Sequence, residues 1–132
     1  MAFPVDSKWI AEAEAKLSAR LPASYVSAMS AMNGGSVTAP PDHWWLYHIL
    51  DGSDRKRIAR TCSSIDRETS NARKNCFGFP QDAVVIGNNG GGDLLVFLGD
   101  PDCPGTLRHD VYWWDHETGE LHHLADDFAD LP

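Results

Sequence analysis

The chain has 132 residues, enough for one domain of ordinary size and too few for two. Its apolar fraction of 42% and its five Trp exclude a disordered chain, and a formal net charge of −8 argues against general nucleic-acid binding. The first residues lack the basic region and apolar run of a secretory signal, and no window approaches a membrane span. Three cysteines, Cys62, Cys76 and Cys103, form no close-paired motif, so neither a disulfide framework nor a cysteine-based zinc site is expected. A reducing cytoplasm fits such a chain best.

Asp6 or Ser7 can cap a first helix, in which Trp9, Ile10, Ala13 and Leu17 recur at helical spacing. Leu21-Pro22 breaks it, and Pro22 suits the start of a second helix whose buried stripe is Tyr25, Val26, Met29 and Met32. Asn33-Gly34-Gly35 ends that helix. Residues 36 to 42, with Pro40-Pro41, read as loop, and the aromatic run from Trp44 to Leu50 reads as a strand. Ile58, Ala59, Cys62 and Ile65 predict a middle helix, followed by a polar loop over residues 70 to 75.

Residues 83 to 86 and 94 to 98 are apolar runs joined by Gly87 to Asp93, a turn-rich segment that predicts a hairpin. Val111 to Trp114 and Glu120 to Leu124 predict a second hairpin around His116-Glu117-Thr118-Gly119. Asp126 or Asp127 can open a short terminal helix with Phe128 and Leu131. The order implies an α+β domain over residues 1–132, with N-terminal helices packed on a largely antiparallel sheet and a short C-terminal helix. The expected core holds Trp9, Leu17, Leu21, Tyr25, Val26, Met29, Val85, Leu95, Phe97 and Phe128.

Four segments in this order resemble the SUKH superfamily, which includes a yeast cell-wall-assembly regulator and bacterial toxin-immunity proteins. They are the acidic helix running into Leu21-Pro22, Tyr25 and Asn33-Gly34-Gly35; the pair around Gly91-Gly92-Asp93-Leu94-Leu95; Val111 to Glu117; and Leu124 to Phe128 with Leu131. The chain departs from the family pattern at Ser18, where a Gly is common, at Ala28-Met29, where a Phe-Leu pair is common, and at Leu131, where a second Phe is common. Residues 36 to 80 carry none of the likeness. The resemblance implies a compact α+β fold and, for bacterial members, binding to a co-produced nuclease or deaminase toxin. It brings no catalytic residues.

The residues themselves give no support for an enzyme. The glycines from Gly87 to Gly92 lead into Asp93-Leu94, not into the Lys and Ser or Thr of a phosphate loop, and no Gly-x-Ser-x-Gly elbow occurs. His109-Asp110, Asp115-His116-Glu117 and His122-His123 are chemically suited to a metal, but adjacent strand residues such as His122 and His123 point to opposite faces. No metal and no cofactor are expected. Trp44-Trp45 and Trp113-Trp114 each place at most one ring in a one-sided core, which leaves the other for a second core or a binding surface.

Charge is uneven. Residues 53 to 75 hold seven of the eleven Lys and Arg, whereas residues 100 to 132 hold nine acids and a single base, Arg108. The expected partner is a protein, a toxin domain with a basic surface, with no direct contact to nucleic acid or membrane. Asp100, Asp102, Asp110, Asp115, Glu117 and Glu120 are the candidate partner-binding residues, provided their loops gather on one edge of the sheet. The alternatives are a regulator or scaffold of the same fold with a non-toxin partner, and a small-molecule-binding domain or metal-dependent hydrolase built on the histidines.

Overall fold

A computed structural model of the chain describes residues 3–39 and 42–132. The helix α1 spans Ser7–Leu17, and the Asp6 carboxylate caps it by accepting from the Lys8 N–H at 3.0 Å. Ser18 ends it in the left-handed conformation, φ 53°, the only described residue besides glycines with a positive φ. A Cβ in this conformation crowds the backbone, so a Gly at this position would be relaxed where Ser18 is strained. The helix α2, Ala23–Ala31, follows Pro22 and buries Tyr25 and Met29.

Among the described residues, six strands form one antiparallel meander in chain order: β1 Ser36–Ala39, β2 Asp42–Leu46, β3 Val84–Asn88, β4 Leu94–Phe97, β5 Val111–Trp114 and β6 Leu121–Ala125. Two helices, α3 (Arg55–Arg60) and α4 (Ile65–Asn75), are inserted between β2 and β3. The chain ends on a single 3-10 turn, Phe128–Asp130, capped by Asp127.

The two hairpins expected from the sequence are present, as are the first two helices, although Met32 caps α2 and is 55% exposed instead of joining its buried stripe. Three further expectations fail. Residues 36 to 39 are strand and not loop, because they complete a hairpin with β2 (Ser36 opposite Trp45, Ala39 opposite Asp42); Pro40 and Pro41 of the expected loop lie outside the described residues. The second strand stops at Leu46 and does not reach Leu50. His48 leaves the sheet to bond Ser63 and Ile65, and both backbone polar groups of Ile49 are taken by the buried Asn33 amide, at 2.8 and 2.9 Å. The single middle helix is two helices, and residues 70 to 75 are helical. Only Ile65, Thr69 and Ala72 of α4 are buried, so its solvent side is free to be polar and hides the pattern.

The sheet is covered on both faces. The larger core joins α1, α2 and the terminal turn to Trp44, Leu46, Ile86, Leu95, Phe97 and Val111; Tyr25 meets Phe97 and Phe128 edge-on, each at 5.2 Å. The smaller core, under α4, gathers Ala72, Phe79, Val85, Val96 and Trp114. Eight of the ten expected core residues are buried, and Trp9 and Val26 are half-buried against the larger core. The tryptophan pairs divide accordingly. Trp113 leans on the larger core and Trp114 on the smaller, whereas Trp44 is fully buried and Trp45 is 52% exposed.

Two substitutions test this packing. Ser18→Gly should stabilise the protein by about 1 kcal/mol, relief of left-handed strain exceeding the entropy that glycine adds to the unfolded chain. Asn33→Ala should destabilise it, stranding two buried backbone groups at roughly 1–3 kcal/mol each. Urea unfolding monitored by tryptophan fluorescence reads both, as shifts in midpoint at constant slope.

Candidate functional site

The strand directions sort the acidic residues into two groups. Asp115, Glu117 and Glu120 lie in and beside the turn between β5 and β6. Asp100, Asp102 and Asp110 lie in the long connection from β4 to β5, at the opposite end of β5. Because β5 is four residues long, roughly 10 Å at about 3.4 Å per residue separate the two sets. The six do not gather on one edge as the sequence reading required, because β5 runs from one end of the sheet to the other between them.

The Asp100 end is partly neutralised. Asp110 lies 3.6 Å from the Arg108 side chain and 3.0 Å from His123. Asp100 spends one oxygen on the Asp102 N–H.

The other end is more uniform. Register places the Ala39–Asp42 pair of β1 and β2, the β3–β4 tip and the β5–β6 turn at the same end of the sheet: Trp45 opposes Asn88, Leu94 opposes Trp114, and Trp114 opposes Leu121. Asp42, Asp93, Asp115, Glu117 and Glu120 all belong to this end, and no Lys or Arg occurs in residues 36–45, 88–94 or 114–121. Asn89 ties the β3–β4 tip to Asp42 at 3.2 Å. The paired row from Trp45 through Asn88, Leu94 and Trp114 to Leu121 lies on the α4 face, with exposed Trp45 and Leu121 at its two ends. His43 stands edge-on to Trp45 at 5.2 Å. Sequence reasoning misses Asp42 and cannot choose which Trp of the first pair is exposed, because residues 36 to 42 read as loop and the pairing of β1 with β2 is needed to place both.

Asp93 fastens two of the turns together. Its carboxylate accepts from the Trp113 indole N–H at 2.9 Å and the His116 backbone N–H at 3.1 Å, and it bonds the His116 ring. Gly92, with φ +104°, lies under that ring; a Cβ there would come within 2.8 Å of it. Partial burial works to raise the Asp93 pKa, but the bonds from His116 and Trp113 outweigh it and hold the carboxyl below its ordinary value. The bond to Asp93 is the main influence raising the His116 pKa above 6.5, with Glu117 and Asp115 adding to it.

Two groups of ligand-type side chains occur among the described residues: Asp93, Asp115 and His116, and Asp110, His123 and Asp126. In each, the facing imidazole nitrogen is already engaged by a carboxylate. The arrangement fits imidazole–carboxylate pairing directly, and elemental analysis of untagged protein should find no stoichiometric zinc or manganese. One equivalent, lost on His116→Ala, would reverse that reading.

Residues 4–131 match the family model described as SMI1 / KNR4 family (SUKH-1). The chain belongs to this family. No curated protein matches the chain. The SUKH-1 match spans all the elements above, including residues 36 to 80, where the sequence showed no likeness. Among the described residues, no helix is long and apolar enough to cross a membrane.

The His116–Asp93 pair carries a pH signature. The raised histidine contributes stability fully below its unfolded pKa, near 6.5, and loses it as pH rises through the folded value. The depressed Asp93 contributes above its unfolded pKa, near 3.8, and loses that contribution as pH falls through its folded value. The pair is therefore strongest between those limits. Titration of the His116 ring by NMR should give a pKa above 6.5, falling toward the ordinary value in Asp93→Asn.

Proposed function

We propose that this SUKH-1 protein is a binding module that neutralises a cognate toxin of nuclease or deaminase type, and that it is not an enzyme. The observation that carries the reading is the anionic end of the sheet, where Asp42, Asp93, Asp115, Glu117 and Glu120 share one end with exposed Trp45 and the strand ends and turns that carry them hold no Lys or Arg. Nucleic-acid-processing toxins need a basic surface to attract phosphate, so an acidic partner is steered toward the surface it must block. Trp45 supplies the large, rigid contact that such interfaces concentrate their energy on. Three unpaired thiols, two of them exposed, suit action in a reducing cytoplasm.

In this proposal Asp115, Glu117 and Glu120 belong to the primary surface, joined by Asp42. Asp100, Asp102 and Asp110 form a second anionic patch whose charge Arg108 partly offsets.

Stopped-flow association with the product of a neighbouring toxin gene, across a salt series, tests the proposal. The rate should fall steeply as salt rises, since the Debye length shrinks from about 30 Å at 0.01 M to about 10 Å at 0.1 M. Asp115→Lys with Glu117→Lys should slow association. Trp45→Ala should mainly speed dissociation, by about tenfold or more for a hot spot worth about 2 kcal/mol. If only charge reversal of Arg55 and Lys56 slows binding, the basic helix α3 is the contact and the acidic-surface proposal fails. A slowing confined to Asp100→Lys with Asp102→Lys would move the interface to the other end of β5.

A further inference from the structure

A cavity of about 370 Å³ lies between α3, the segment after β2 and the start of the chain. Its position is remote from the anionic end: β2 begins there at Asp42, and the cavity wall starts beyond the strand's other end, at His48. The volume falls in the range of small-molecule sites.

Its walls are built from buried polar groups. Of the five buried polar or charged residues among those described, three border this cavity: Asn33, Asp51 and Thr61. Each is fixed. Asn33 clamps the Ile49 backbone, Thr61 accepts from the Asp51 N–H at 2.9 Å while donating to the Arg57 carbonyl at 2.7 Å, and Asp51 accepts from the Ser53 N–H at 3.0 Å. The walls are therefore set before anything enters.

Unsatisfied groups remain on the same lining. Arg57 lies 3.8 Å from Asp51, a loose ion pair, whereas Arg60 has no carboxylate partner among the described residues. Both guanidinium groups sit over the Phe3 ring, 4.3 and 4.8 Å from its centre, which orders them at little further entropic cost. His48 has a buried ring nitrogen, Nδ1, with no hydrogen-bond partner. Burial pushes its imidazole below the ordinary pKa, so it is neutral at pH 7. Gly34 keeps this ring in place, since a Cβ there would come within 2.8 Å of His48 Nε2.

The sum of charge on the lining is one net positive: two arginines against one aspartate. That balance suits a monoanion. A dianionic phosphate would place uncompensated charge beside Asp51, whereas a planar carboxylate matches the guanidinium fork. Phe3 and the arginine stems offer an apolar wall to the rest of the ligand.

We propose that this cavity is a carboxylate-binding site, in which Arg60, supported by Arg57, takes the carboxylate and Phe3 contacts the apolar body that carries it. The site stands apart from the toxin-binding surface and does not depend on it. Two sources offer such a group: a free small acid, or the C-terminal carboxylate of a bound polypeptide.

Benzoate, acetate, inorganic phosphate, and a short hydrophobic peptide in its free-acid and amidated forms are the probes, titrated into the ¹⁵N-labelled full chain. Arginine Nε–Hε and backbone signals of residues 48 to 61 are followed. Benzoate should shift these signals saturably at millimolar concentration, more tightly than acetate or phosphate. Arg60→Gln, an exposed substitution, should weaken binding by roughly tenfold or more, as loss of a charge-assisted bond does. Arg67→Gln, outside the cavity, should leave it unchanged. Tighter binding of the peptide acid than of benzoate, abolished by amidation, assigns the site to a polypeptide terminus; the reverse order assigns it to a free acid. Absence of saturable shifts from every carboxylate, an unaltered affinity in a folded Arg60→Gln protein, or a preference for phosphate overturns the proposal.

Discussion

The β3–β4 pair has to be enclosed from both sides, and the arrangement of the rest of the molecule follows from that. Val84, Val85 and Ile86 are consecutive and all fully buried, although successive strand residues face opposite ways. A one-sided cover would leave Val85 and Val96 in water. The pair α1–α2 with the terminal turn supplies one cover, and α4 supplies the other. This is why two helices interrupt the strands between β2 and β3: the chain must cross to the second face before the central strand forms. The crossing is visible in α4 itself, whose Ile65 joins the larger core and whose Ala72 joins the smaller. Thr69 locks the helix to the strand by accepting from the Val85 N–H at 2.8 Å.

Apart from Ile49, which is fully buried in the larger core, the segment from His48 to Ser64 is held by polar bonds. No residue of α3 is buried, and Ile58 is 45% exposed. Asn33, Thr61 and Asp51 do the holding. Such a segment can be ordered without filling the space beneath it, and that is the origin of the cavity beside Arg60. Apolar side chains in its place would have closed the gap.

The sequence made the hairpins and the first two helices legible because their periodicity and turn residues agree: Leu17, Tyr25 and Met29 at helical spacing, and Gly87 to Asp93 between two apolar runs. It misled where a different bond won. Trp44 to Leu50 has strand composition throughout, but Asn33 captures the Ile49 backbone and draws the chain off the sheet. Residues 70 to 75 look like a loop because α4 needs only Ile65, Thr69 and Ala72 on its buried side. The candidate site was half legible. Charge composition showed an acidic C-terminal third, but dividing it into two ends requires the direction of β5, and Asp42 enters only through pairing of β1 with β2.

The topology also distributes stability unevenly along the sheet. From Val84 to Ala125 every strand pairs with the next across a local connection, so loop-closure entropy is modest. Attaching β2 to β3 instead closes the whole α3–α4 excursion, and the register joining them consists of just two residue pairs, Trp45 with Asn88 and Leu46 with Gly87. The β1–β2 hairpin is thus the part of the sheet most readily released by local opening, and its amides should exchange with solvent faster than those of β3 to β5. Trp45 and Asp42 sit on that hairpin. A partner that grips them would clamp the weakest seam of the sheet, so complex formation would register as slowed hydrogen exchange in β1 and β2 even though those strands lie far from α4 in sequence.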